Sequence, residues 1–352
     1  MLRFVALVLS VLVAGPPSRA SAVEPQRPGQ ESFLTRAVFA GGRLWLLSDA
    51  GELSTITEGK NMRVEESLPE PALDLCLHEA YPTVITCERE GCRSWTLRRW
   101  VSGKWSVEAT VETEGDALVA LSCAAEKMML ITTGRLIEAG SDKQSAVVLS
   151  EKLHTGLVAS VHVTPDQVFI GINAGEWGGG LRRIDRRSGR VTLLESNVTG
   201  ELCGGPLNTA CDPVNGIASE PWMPDCIAAA IGLVHFAPHG RIIEVCGEKV
   251  RRLYYKPYGE QTSGLPKNKD DEPFRTVAFF GLTRARDALW AAGIDGVYRI
   301  EANDAVSFTP LPSFTNIGGI RVSFDLPYLV LVVTSINQRR SVGGSVPILV
   351  PR

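Results

Sequence analysis

The sequence predicts an all-β fold, a seven-bladed β-propeller of four-stranded antiparallel blades. Three observations carry this expectation. Long helical stripes, with apolar residues at i, i+3, i+4 and i+7, are not found. In their place a short β run, a turn containing Gly and a second β run recur along the chain. The recurrence has the period of a propeller blade. Hydrophobic residues make up 44% of the 352-residue chain and charged residues 21%, enough for a packed core.

The copies can be taken in order. Leu44, Trp45, Leu46 and Leu47 lead through Asp49, Ala50 and Gly51 to Leu53 and Ile56. A weaker copy starts near Val84. Leu130, Ile131 and Thr132 pass Gly134 to reach Leu136 and Ile137. Val168, Phe169 and Ile170 reach Leu181 and Ile184 after extra glycines. Another weak copy starts near Ile227. Leu289 and Trp290 pass Asp295 and Gly296 to Val297 and Tyr298, and a last weak copy starts near Leu329. Asp-Ala-Gly or Asp-Gly supplies the positive φ that each hairpin bend needs. Successive starts are about 40, 46, 38, 59, 62 and 40 residues apart, and blades are about 40–50 residues long. One blade cannot bury both its faces, but seven in a ring bury them against each other.

The N-terminus reads as a secretory signal peptide over residues 1–22. Met1, Leu2 and Arg3 make a positive start, residues 4–14 are apolar, and Ala20, Ser21 and Ala22 form a small-x-small cleavage site. The apolar run is too short to span a membrane, and no later stretch is long and apolar enough. A buried N-terminal helix is the alternative. Residues 23–352 then form one propeller domain in a secreted or periplasmic protein. The whole chain carries a net charge of -3, and losing Arg3 and Arg19 takes it to -3 - 2 = -5. That balance argues against nucleic acid as the partner.

Export places eight cysteines in an oxidising compartment, where disulfides are expected. Eight cysteines allow 105 full pairings, and spacing alone offers guesses. Cys87 and Cys92 flank a turn. Cys203 and Cys211 enclose a Gly/Pro/Asn-rich loop. Cys226 and Cys246 sit on two β-like runs. Superimposing the second copy on the third brings Cys76 beside Cys123, on or just beyond the innermost strands of neighbouring blades. Two buried free thiols are the alternative for that last pair. Zinc is disfavoured, because no C-x-x-C pair stands with a matching His.

The stretches 289–300 and 168–185 resemble the two-component-regulator propeller repeat, whose usual form is L-W-x-G-T-x-x-G-G-L-x-R-x-D. The resemblance covers short hairpins in most blades, about a third of the chain. It implies a propeller and, in many relatives, the extracellular sensing part of a membrane kinase. This sequence departs from that pattern, with neither a following membrane helix nor a kinase domain. Similar repeats also occur in freestanding secreted propellers.

The unequal copy lengths point to a functional face. With strands a to d counted outward from the axis, the b–c and d–a connections share one face. The insertions at 174–180, 232–240 and 335–344 are b–c turns of blades four, five and seven. Those at 201–213 and 256–273 are d–a segments flanking blade five. All five fall on that face, mostly over blades four to six, and function tends to sit in loops on a rigid frame.

Candidate binding residues there are Asn173, Glu176, Trp177, His235, His239 and Tyr258. Four glycines surround Glu176 and Trp177 and admit close backbone approach or positive φ. Glu176 would accept hydrogen bonds or meet a cation, and Trp177 would stack on a sugar or an aromatic ring. The alternative is a wide hairpin bulge with Trp177 packed on a neighbouring blade. His235 and His239, four apart, invite a metal, but Pro238 and the lack of a third ligand weaken it. Residues 267–272 read as a solvated loop, and His78, His154 and His162 as structural or surface residues. Asn197 opens an Asn-x-Thr sequon.

No G-x-S-x-G elbow, Walker loop or H-E-x-x-H motif appears. Two functions from different classes remain. The first is a non-catalytic recognition or scaffold propeller, without a cofactor, that binds an extracytoplasmic carbohydrate, peptide or protein. It expects an exposed apolar-aromatic patch on the loop-bearing face, without converging ionisable groups. The second is a lyase or hydrolase with a metal-assisted site near Glu176, using His235 or His239 and a divalent cation. It expects Glu176 and a His within a few Å at a central funnel.

Overall fold

A computed structural model describes residues 34–57, 59, 63–88, 91–123, 127–140, 144–197, 205–259, 275–312, 317–336 and 345–352. The expected signal peptide, Cys203 and the 267–272 loop lie outside them.

Seven antiparallel sheets follow one another along the chain, six with four strands and the last with three among the described residues. Each runs from an inner strand a outward in sequence order. The seven copies read from sequence are the seven b strands: Arg43–Ser48, Tyr81–Thr86, Met128–Thr132, Gln167–Asn173, Cys226–His235, Ala288–Gly293 and Leu329–Ile336. Strand b is covered on both faces by neighbouring blades, so its sequence is a continuous apolar run rather than an alternation. Met128–Thr132, for example, is buried at every position. The only helical turns described are Thr155–Leu157 and Gly175–Trp177, each one short 3-10 turn.

The core is a set of layers between blades. Phe169 and Leu181 of blade four pack on Ile217, Ile231 and Ile243 of blade five. The other face of blade five packs Ala228, Ala230 and Ile242 on Phe279, Leu289 and Tyr298 of blade six. Small alanines let the sheets approach closely, and the large side chains of the next blade fill the space.

The ring closes without a shared strand among the described residues. Ala37 and Leu46 of blade one pack on Leu331 and Val333 of blade seven. The Ser323 hydroxyl donates to the Ala37 carbonyl at 3.0 Å. The last described strand of blade seven is Ser345–Pro351, and the Arg352 N–H beyond it donates inward to Tyr328 O at 2.8 Å.

Disulfides join Cys76 to Cys123, Cys87 to Cys92 and Cys226 to Cys246. The first ties blade two to blade three. Cys226 and Cys246 stand directly opposite on strands b and c of blade five. Cys211 is disulfide-bonded, and the guessed partner Cys203 lies outside the described residues. Disulfides of this kind fit an oxidising, extracytoplasmic compartment.

A charged staple, not read from the sequence, recurs in four blades. An Arg on strand c reaches an acid in the segment just before strand a. The pairs are Arg98–Glu70 at 2.8 Å, Arg135–Asp116 at 2.8 Å, Arg182–Glu151 at 3.4 Å and Arg241–Asp212 at 2.6 Å. Each pins a d–a segment onto the face it shares with the b–c turns.

Candidate functional site

The loop-bearing face is organised around the b–c turns of blades four and five. In blade four, strand Gln167–Asn173 leads into the turn Gly175–Trp177 and then into strand Gly179–Asp185. Asn173 starts the turn. Its Oδ1 accepts the Gly175 N–H at 2.8 Å, and its Nδ2 donates to Asn215 Oδ1 at 2.7 Å. Asn173 therefore orients the turn and ties it to blade five.

The glycines serve the protein's own packing. Gly179 and Gly180 donate their N–H groups to the carbonyls of Thr209 and Asp212, both at 2.8 Å. A Cβ on Gly178 would stand 2.1 Å from Thr209 O, at a φ of 85°. The d–a segment before blade five lies directly on this hairpin, where only glycine fits.

Blade five differs from the expected long turn at 232–240. Strands Cys226–His235 and Ala237–Cys246 stay paired out to His235 opposite Ala237, and the chain reverses at Phe236 alone. The insertion lengthened the ladder rather than the loop, so the hairpin stands out from the face.

The two turns meet at their tips. His235 Nε2 lies 3.0 Å from Glu176 Oε2. The His235 ring stacks on Phe236, with centroids 4.1 Å apart. Trp177 is 79% exposed and Phe236 98% exposed. The expectation that Trp177 packs on a neighbouring blade is not met. Sequence reasoning missed Phe236. Its position opposite the turn Asp-Gly of other blades was the available signal.

The remaining candidates do not join this cluster. His239 sits further down the ladder opposite Leu233, its Nε2 3.4 Å from Arg241. Tyr258 packs against the core layer between blades five and six, and its N–H donates to Arg275 O at 3.0 Å. Among the described residues no group of three or more His, Cys, Asp or Glu is placed to hold a metal ion.

Two arrangements fix the segments around the tips. Arg241 is fully buried and donates to Pro206 O at 2.9 Å, Gly205 O at 3.3 Å and Asp212 at 2.6 Å. Lys256 lies 3.1 Å from Asp295 and donates to the Tyr298 hydroxyl at 3.0 Å, which holds the start of the next d–a segment on blade six.

The ring also encloses an axial channel of about 1810 Å³, walled chiefly by the inner strands. Most of its charges stand on blades one, two and seven, and Asp116 adds one from blade three. Arg36 pairs with Asp74 at 2.9 Å, and Asp74 also accepts the N–H groups of Leu75 and Leu121. Asp325 lines the same channel, and its enclosure by protein pushes its carboxyl above the usual range. Glu176 and His235 meet as the catalytic reading expects, but on the b–c tips, outside this channel wall.

No family model matches the chain, and no curated protein matches it. Many solved propellers do. YCF48 bound to D1 peptide is similar at a TM-score of 0.55 and 11% identity, over 90% of this chain and 96% of that one. The β-propeller domain of the trilobed protease from Pyrococcus furiosus, described as having an open velcro topology, gives 0.50 at 8% identity, over 91% and 95%. The extracellular domain of the putative one component system BT4673 from B. thetaiotaomicron gives 0.49 at 13% identity. This chain is covered over 91%, but spans 38% of that one. At such identities the first two likenesses bear on the propeller fold alone.

Proposed function

We propose that this protein is an exported recognition propeller that binds an extracytoplasmic protein or peptide through the b–c tips of blades four and five. One observation carries the reading. Trp177 and Phe236 stand exposed on adjacent hairpins, and the Glu176–His235 pair joins those hairpins at 3.0 Å. Exposed aromatics on a rigid frame supply contact area at low entropic cost, and such residues dominate interface energies. The tip residues are exposed and do not line the axial channel, which suits a macromolecular partner better than a small ligand, since small-molecule sites are concave. Similar propellers include one solved with a bound peptide, which is in keeping with this reading.

The test is binding of the oxidised mature protein to the exported proteins of its producing cell, with each captured species then purified and titrated. Trp177→Ala with Phe236→Ala is expected to weaken binding at least tenfold, and Val107→Ala on the rim of blade two to leave it unchanged. Binding that survives the double substitution but is lost with Arg36→Ala would move the site to the axial channel.

A further inference from the structure

Resting on that recognition reading, we infer that Phe236 is a preformed knob that inserts into an apolar pocket of a partner protein. Phe236 is 98% exposed, the highest value among the exposed large hydrophobic residues described. Its backbone is at φ 57°, in the left-handed region. Gly or Asn adopts that conformation at little cost, whereas a bulky aromatic residue does not. The chain thus places at a hairpin tip a residue that is locally unfavourable in two ways, through its backbone and through its bare apolar ring. Folding gains nothing from either.

The surroundings hold the ring in place. Ten-residue strands on both sides keep the hairpin paired to its last residues. The His235 ring lies beside Phe236 with centroids 4.1 Å apart and tilted 33° to it, and Glu176 of blade four pairs with His235. Val234, one step down the ladder, is 51% exposed and extends the apolar surface below the tip. The arrangement is a fixed projection, with little ordering left to be done at binding.

Another tip offers a comparison inside the same molecule. Tyr328 also has a positive φ, 60°, and is 74% exposed. It lies on the opposite face, at the a–b turn of blade seven, and its carbonyl accepts the Arg352 N–H. Its ring carries a hydroxyl that water satisfies. Phe236 has no such group, so desolvating its ring in a pocket costs nothing polar.

Site-specific photo-cross-linking tests the knob. Benzoylphenylalanine is placed at position 236 in cells that export the full chain, and separately at positions 107 and 328. The expected result is a discrete adduct from 236 alone. The cross-linked protein, identified by mass spectrometry and purified, is then titrated against wild type, Phe236→Leu and Phe236→Ala. Phe236→Ala is expected to weaken binding tenfold or more, and Phe236→Leu to keep most of it, with unchanged melting temperatures. Adducts from 107 or 328 with none from 236 would overturn the knob while leaving recognition intact. An adduct from 236 whose partner binds Phe236→Ala unchanged would overturn it too. No adduct from any position would overturn the recognition reading itself.

Discussion

Replacing Asp212 by Asn removes one charge from a pair that is almost completely dry. Side-chain exposure is 2% for Arg241 and 1% for Asp212, and their atoms approach to 2.6 Å. In Asp212→Asn the guanidinium keeps the carbonyls of Gly205 and Pro206 but loses its counter-charge. Breaking a buried pair in this one-sided way costs about 3–5 kcal/mol. Unfolding entropy near 2.1 cal/mol/K per residue, over about 320 residues, converts 4 kcal/mol into a fall in Tm of about 6 °C. The assay is thermal and urea unfolding of the oxidised protein. The exposed pair Arg299–Asp287 serves as reference, because its atoms are 3.4 Å apart and Asp287 is 79% exposed. Asp287→Asn is expected to cost under about 1 kcal/mol. Replacing both Arg241 and Asp212 by apolar residues of similar size is expected to recover most of the loss. A loss from Asp212→Asn no larger than from Asp287→Asn would refute the reasoning. It would mean that the 205–213 segment is held by its backbone contacts alone.

Burial, with Glu244 beside it, pushes the Glu220 carboxyl up to about 8 from 4.5. The folded state therefore holds this proton more tightly, and stability falls as pH rises from about 4.5 to 8. Glu220→Gln should flatten that limb in urea titrations at several pH values, and an unchanged slope would count against it. Burial lowers His162 to about 4 from 6.5, so its contribution is lost as pH falls from about 6.5 to 4. His162→Gln should remove that acid-side loss, and a mutant that still shows it would be contrary evidence. Gly178→Ala meets Thr209 O at a positive φ and is expected to cost about 2 kcal/mol or more, read as a lower urea midpoint. Cys76→Ser with Cys123→Ser opens a cross-link with a sequence separation of 47, for which the chain-entropy estimate is about 4 kcal/mol, also read from the urea midpoint.

The strands that sequence revealed were those whose environment is least ambiguous. All seven b strands are sandwiched between blades, so a short apolar run marked each one, and in most a Gly turn followed. The outer strands were hard to read because one edge and much of one face meet water. In Ser145–Val148, Val148 is 71% exposed and no apolar pattern survives. The candidate site was half legible. An acid and an indole among glycines drew notice to Glu176 and Trp177, yet the glycines turned out to seat residues 209–212. Phe236 was hidden because exposure at a tip leaves no periodic trace. The staples joining Arg98, Arg135, Arg182 and Arg241 to their acids were hidden for a different reason. The partners are separated by 28, 19, 31 and 29 residues, so no fixed spacing announces them.

Among the described residues no strand pairs with the outer edge of blade seven, and the chemistry of that edge limits what can attach there. Because the Arg352 N–H points inward to Tyr328, alternation along an antiparallel strand turns positions 351, 349, 347 and 345 outward. Two of those four are Pro351 and Pro347, which have no N–H to offer. An incoming strand would find donors at Leu349 and Ser345 only. Natural sheets use proline at exposed edges to discourage unwanted pairing. Prolines at these positions thus work against end-to-end pairing of copies along this edge. Among the described residues, the seam between blades one and seven is held by side chains and one hydroxyl-to-carbonyl hydrogen bond, and no backbone ladder crosses it. Among the described residues, the ring should breathe first at that seam.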